Sequence, residues 1–273
     1  MPDGRKAWVE RAVEPAGIRY LCHMTLSEGA ALLPAIAEMQ QAACQFRQWL
    51  ADHGDDDIRE PSALPGWSRA QLFAHLRGVG LGLARQLEYA KRQELVEMYD
   101  GGIDGRNADI AKHAALEQPE LLAELESALG RLSAALDALD DADLTTKTAY
   151  RDGNVTDVVN AGWRELVIHH ADLRIGASSQ DWSPAFCRHL FSFLEARVPE
   201  KTRLVLQPLG AQPVTLSNGN TSGKSYVITG QLNDIAAWLA GREPIGQVDA
   251  FAAADAIELP ELLAWPSGVP AKR

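Results

Sequence analysis

Trp163-Arg-Glu165-Leu-Val-Ile-His169-His-Ala-Asp172-Leu173 is the stretch on which the fold turns. Val158, Gly162, Glu165, His169 and Leu173 recur at three- and four-residue steps, which places them on one face of a helix. A carboxylate on the apolar stripe of a buried helix is costly unless something pairs with it. A second stretch, Trp67-Ser-Arg-Ala-Gln-Leu-Phe-Ala-His75, repeats the arrangement, with His75 in line with Leu72, Leu76, Val79 and Leu83. Two imidazoles and a carboxylate meeting inside a helical core could hold a divalent cation. His75, Glu165 and His169 form a ligand set that suits catalytic zinc and leaves one position open.

Each residue also has a plainer reading. A lone histidine on an apolar face is commonly a satisfied core residue, and Glu165 with His169 at i, i+4 makes an ordinary helix ion pair. Their convergence points to the metal. A di-iron bundle would need Glu-x-x-His pairs, whereas the spacing here is Glu-x-x-x-His and the third helix offers leucine. His170 lies about 100° around the helix from His169 and falls outside the ligand set. Asp172 can accept from His169, or act as a cap or a surface charge.

Outward from these stretches the chain reads as helices. Leu32, Ile36, Met39, Ala43, Phe46 and Leu50 trace a stripe within a helix expected from Thr25, with Pro34 marking its true start or a kink. Asp52 to Gly66, with Asp55-Asp56-Asp57, Pro61 and Pro65, reads as a connecting loop. Ser68 and Gln71 form a capping box that opens a helix to about Lys91. Tyr99 to His113 reads as a long irregular connection, of the kind that covers pockets. Leu122, Leu125, Leu129, Leu132, Leu136 and Leu139 give a third seam. The fourth helix runs from Asn154 or Thr156 to about Ile175, with Gly176 as its stop. Four amphipathic helices predict a bundle, a usual host for a metal.

Beyond Gly176 the pattern changes. Pro184 to Val198 is helical, and Arg203–Gln207, Pro213–Leu216 and Ser225–Thr229 are short β-like runs. Thr229 is a candidate cap for a helix ending at Leu239. The fold class expected is α+β, a helical bundle over residues 1–178 followed by a small α/β domain over residues 179–273.

A net charge of -11 argues against a nucleic-acid partner. No apolar run reaches the length of a membrane span, and no signal peptide is legible at the start. Cys22, Cys44 and Cys187, unpaired in spacing, read as reduced core thiols of a cytoplasmic protein.

These residues carry a resemblance. Leu64-Pro-Gly-Trp-Ser-Arg-Ala-Gln-Leu-Phe-Ala-His75, Met98-Tyr99, Arg106-Asn107, Arg164-Glu165, His169, Asp172-Leu173, Ile228-Thr-Gly-Gln-Leu and Ala240-Gly-Arg242 are similar to the mycothiol-dependent maleylpyruvate isomerases, a branch of the DinB-like metal-binding bundles. The resemblance implies one zinc on His75, Glu165 and His169, mycothiol as thiol cofactor, Arg106 toward a carboxylate of cofactor or substrate, and Arg242 as a catalytic residue of the second domain that clamps a substrate carboxylate or stabilises enolate charge. It implies cis–trans isomerisation of maleylpyruvate, a small dicarboxylate, to fumarylpyruvate in aromatic catabolism. Thiol S-transferases share the same bundle, so transfer of the thiol to an electrophile is an alternative. A metal-stabilised module that binds a small acid without turnover is another.

Overall fold

The computed structural model describes residues 32–218, 223–253 and 255–267. The expected N-terminal arm, with Cys22, His23 and the start of a helix at Thr25, lies outside them. The first described helix is α1 (Leu33–Asp52), with Pro34 in its first turn. There proline's missing N–H costs nothing, so it marks the start and makes no kink. The next is α2 (Asp55–Arg59), in the stretch expected to be a loop. Its three aspartates occupy the N-terminal turn, where the helix dipole favours negative charge, and Asp57 accepts the Gly54 N–H at 3.1 Å.

The helix α3 (Arg69–Lys91) starts at the expected box: Ser68 Oγ accepts from Gln71 N at 3.3 Å, and Gln71 Oε1 accepts from Ser68 N at 2.8 Å. Such a cap contributes about 1 kcal/mol. The segment read as an irregular connection is instead the helix α4 (Gly102–Ala114), which buries Ile110 and His113 against α3. The glycine pair stands at its start rather than within a loop. In α5 (Gln118–Asp137) the seam runs through Leu121, Leu125, Leu129, Leu132 and Leu136, with Leu121 buried in place of the expected Leu122. The helix α6 (Val155–Asp172) is capped by Asn154, whose Oδ1 accepts from Asp157 N at 3.1 Å. It stops three residues short of Ile175. The four long helices α1, α3, α5 and α6 pack as a bundle around Phe46, Phe73, Leu76, Leu83 and Leu125.

Beyond the bundle, α7 (Pro184–Leu194) ends in a 3-10 turn at Glu195–Arg197. A five-stranded sheet follows, in the order β2-β1-β3-β4-β5. Its strands are β1 (Thr202–Pro208), β2 (Val214–Ser217), β3 (Lys224–Gly230), β4 (Val248–Ala252) and β5 (Asp255–Ile257). β1 and β3 pair in parallel, and the other pairs are antiparallel. The helix α8 (Leu232–Leu239) packs with α7 against the sheet over Leu204, Leu206, Leu216 and Ile228. The protein is therefore α+β. Thr229 belongs to β3 and Gln231 stands at the cap position, so the expected threonine cap is not made. Of the cysteines, Cys187 is buried as expected, whereas Cys44 is exposed on α1. Among the described residues no helix is long and apolar enough to cross a membrane.

Candidate metal centre

Two helices deliver the three ligands the spacing marked out. From α3, His75 Nε2 lies 3.0 Å from Glu165 Oε2; from α6, His169 Nε2 lies 3.3 Å from the same oxygen. One ligand atom from each residue falls within 4.8 Å of the other two, which makes them a group able to hold a metal ion. Both Nε2 atoms aim at one oxygen, so the atoms a cation would bind converge. Glu165 is not sealed in the core as the apolar stripe suggested. A third of its side chain, 34%, opens onto a cavity.

The surroundings fix the charge states. Burial alone would raise the carboxyl pKa of Glu165, but hydrogen bonds from His169 and His75 outweigh it and hold the group well below the usual carboxylate range. Burial also disfavours a charged His169, yet Asp172 and Glu165 bring its pKa up to about 9. His75 moves the other way, its pKa lowered chiefly by burial.

Behind the ligands stands a chain of hydrogen bonds that joins the two parts of the protein. His169 Nδ1 is 2.8 Å from Asp172 Oδ2. Arg242, just beyond α8, grips the same carboxylate with both arms: Nε to Oδ1 at 3.0 Å and Nη2 to Oδ2 at 2.6 Å. Its Nη1 also donates to the Ala240 carbonyl at 2.9 Å, so it closes the end of α8 as well. Asp172 is only 2% exposed, which makes this pair a structural joint. On the other flank, Arg106 of α4 donates from Nη2 to His75 Nδ1 at 3.1 Å. The helix α4 thus lies over the centre, where a loop was expected to lie. Gly105, just before Arg106, sits so close to the Asp100 carbonyl that any Cβ there would overlap it.

Two cavities meet at His75 and Arg106. One, of about 370 Å³, is lined by the three ligands, by Arg106, Arg164, Arg197 and Arg242, and by Trp265. The other, of about 280 Å³, runs between α3 and α4 past Tyr99. Burial pushes the Tyr99 phenol well above its usual range, so it remains a neutral donor. The sequence reading assigned no role to Arg164, Arg197, Tyr99 or Trp265. Arg164 was visible only as the neighbour of Glu165, and Arg197 had no periodicity or motif to mark it. His170 stays outside the ligand group, its ring edge-on to Phe46.

Arg164 is 6% exposed and donates from Nη1 to His189 Nε2 at 2.9 Å. Burial, with help from the Arg164 charge, pushes the His189 pKa down to about 3, so this imidazole accepts as the neutral form. The unfolded chain protonates it near 6.5. Stability should therefore be full above about pH 6.5 and fall as the pH drops toward 3, because only the unfolded state takes up this proton. His189→Gln keeps an acceptor without the titration, so its unfolding free energy should fall less steeply across that window in denaturant titrations. Parallel curves for the two proteins would show that His189 does not set the slope.

Residues 39–174 match the family described as Mycothiol maleylpyruvate isomerase N-terminal domain. Two solved structures are similar to the chain, one described as mycothiol-dependent maleylpyruvate isomerase and the other as a histidine-to-alanine mutant of that enzyme. Each superposes with a TM-score of 0.72 at 22% identity, over 86% of this chain and 97% of theirs. No curated protein matches the chain. At this identity the likeness establishes a shared fold that takes in the bundle and the sheet together.

Proposed function

Residues 39–174 belong to the mycothiol maleylpyruvate isomerase N-terminal domain family, and on that premise we propose a metal- and thiol-dependent cis–trans isomerase. The metal proposed is zinc, on His75, Glu165 and His169. The thiol is mycothiol and the substrate maleylpyruvate. The division of labour follows a boundary at residues 178/179, with ligands before it and Arg242 after it. One observation carries the reading: two imidazole nitrogens and an ionised carboxylate converge at the mouth of a cavity rich in arginine.

The residues present fit such an ion. His169 already gives its far nitrogen to a carboxylate, the arrangement that would orient Nε2 as a ligand once a cation displaces its proton. A zinc ion here would act as a Lewis acid that keeps a thiol ionised near neutral pH. The reaction proposed is reversible addition of that thiol to the carbon–carbon double bond, rotation about the resulting single bond, and loss of the thiol to give fumarylpyruvate.

The chain's own residues would position and balance charge. Asp172 fixes the His169 ring, and Arg242 fixes Asp172, so Arg242 acts on the metal site from the second domain. Ligation through His75 Nε2 places that ring's proton on Nδ1. Arg106 then loses its present acceptor, and its guanidinium becomes available to an anion. Tyr99, kept neutral, can donate along the neighbouring cavity.

The test is to combine zinc-loaded protein, mycothiol and maleylpyruvate and to follow thiol and product together. Fumarylpyruvate formed in large excess over a thiol that is fully recovered supports isomerisation. One thiol consumed per product marks an S-transferase on the same bundle. Tight binding of the acid with no turnover under any thiol marks a binding module.

A further inference from the structure

Four arginines line the metal cavity, and among the described residues only Arg242 of these holds a carboxylate. Arg106 donates to Asn107 and His75, the second an acceptor that ligation would remove, and Arg164 donates to His189 and lies 3.6 Å over the Phe193 ring. Arg197, in the turn after α7, is held by backbone alone. Its Nε donates to the Leu263 carbonyl at 2.7 Å and its Nη1 to the Leu239 carbonyl at 2.5 Å. No carboxylate accepts from Arg197 among the described residues. The contrast with the adjoining cavity is sharp: Arg77, Arg85 and Arg131 each hold an acid there.

Arg197 is also built in. Gly241 has φ 70°, a conformation that favours glycine. A Cβ there would come within 3.1 Å of Arg197 Nη1, so the main chain is pared back to admit the guanidinium. Leu263 N donates to the Arg197 carbonyl at 2.8 Å, which completes a clasp between this turn and the segment carrying Trp265. Burial and the nearby Arg242 charge both lower the Arg197 pKa. Two guanidiniums face one cavity, and Asp172 is committed to Arg242 and His169 while Glu165 is committed to the two histidines, which leaves Arg197 a place for an anion that the protein does not supply.

We infer that Arg197 receives a carboxylate of the substrate, and that Arg242 serves instead to position Asp172 and His169. The assignment rests on the dicarboxylate reading above and goes beyond it by naming the residue that recognises the acid. A planar guanidinium already fixed by two carbonyls presents its remaining N–H groups without further loss of side-chain freedom, as pairing with a carboxylate requires.

The probe is maleate, a simple cis-dicarboxylate, titrated by calorimetry into metal-free and zinc-loaded protein. Arg197→Gln keeps a donor for the backbone carbonyls and removes the charge. It should raise the Kd for maleate about tenfold or more, the size of one lost charge-assisted hydrogen bond, with zinc content unchanged. Should the glutamine variant fail to fold, Arg197→Lys decides, since it keeps the charge but loses the planar fork; about threefold to tenfold weaker binding is expected. Parent-like affinity in whichever variant folds overturns the inference, and so does a parent protein that binds no maleate. Thiol-dependent turnover of the zinc-loaded protein, measured alongside, separates substrate recognition from isomerisation. Maleate binding that depends on Arg197, in a protein without thiol-dependent turnover, would leave this inference standing and remove the isomerase reading.

Discussion

His75→Ala and His169→Ala proteins will purify without stoichiometric metal and will turn over at least about a thousandfold more slowly than the parent. Each substitution leaves one imidazole and one carboxylate, too few to hold zinc against buffer, and a thiol then depends on its own small ionised fraction. Elemental analysis measures the first effect and steady-state kinetics the second. The fold should survive both changes. The core rests on Phe46, Phe73, Leu76, Leu83 and the α5 leucines rather than on the ion, so thermal unfolding should remain cooperative in the metal-free protein. Full metal content in the double variant would remove His75, Glu165 and His169 as the ligands.

Arg242→Lys should lower turnover by about 10- to 100-fold and weaken zinc affinity in the same range, while zinc content at saturating metal stays normal. A lysine keeps the charge but offers a single ammonium where the arginine spans both oxygens of Asp172. The carboxylate then gains freedom to turn, and the His169 ring turns with it. Asp172→Asn should give the same pattern with a larger loss, since it weakens both the acceptor for His169 and the partner of Arg242. Maleate affinity separates this role from substrate recognition. It should change little in Arg242→Lys and much in Arg197→Gln. If Arg242 merely closes the end of α8 through the Ala240 carbonyl, a lysine would serve equally well and activity would match the parent.

The bundle was legible because leucine and phenylalanine recur at helical steps over long stretches, and because Ser68-x-x-Gln71 and Asn154 announce where helices begin. The ligand residues were legible for the same reason: a charged side chain on an apolar stripe is conspicuous. Short elements escaped. Asp55–Arg59 looked like loop because its aspartates are polar, although negative charge is what an N-terminal turn favours. Gly102–Ala114 buries little beyond Ile110 and His113, so its stripe was too sparse to register. β4 and β5 were missed because Val248–Ala252 is short and rich in alanine, and Asp255–Ile257 is exposed along the edge of the sheet. Arg197 could not be found at all without the fold. Its meaning comes from Leu239, Gly241 and Leu263, which are distant in sequence.

Asp172 receives hydrogen bonds from His169 of α6 and Arg242 beyond α8, and on the proposed division at residues 178/179 this would make metal affinity and domain docking two faces of one equilibrium. Reciprocity then follows. Whatever factor the docked sheet domain adds to the affinity for the ion, the ion adds the same factor to docking. A chelator should therefore loosen a junction in which it touches nothing, and a chain pried open near residue 178 should surrender its metal more readily than an intact one.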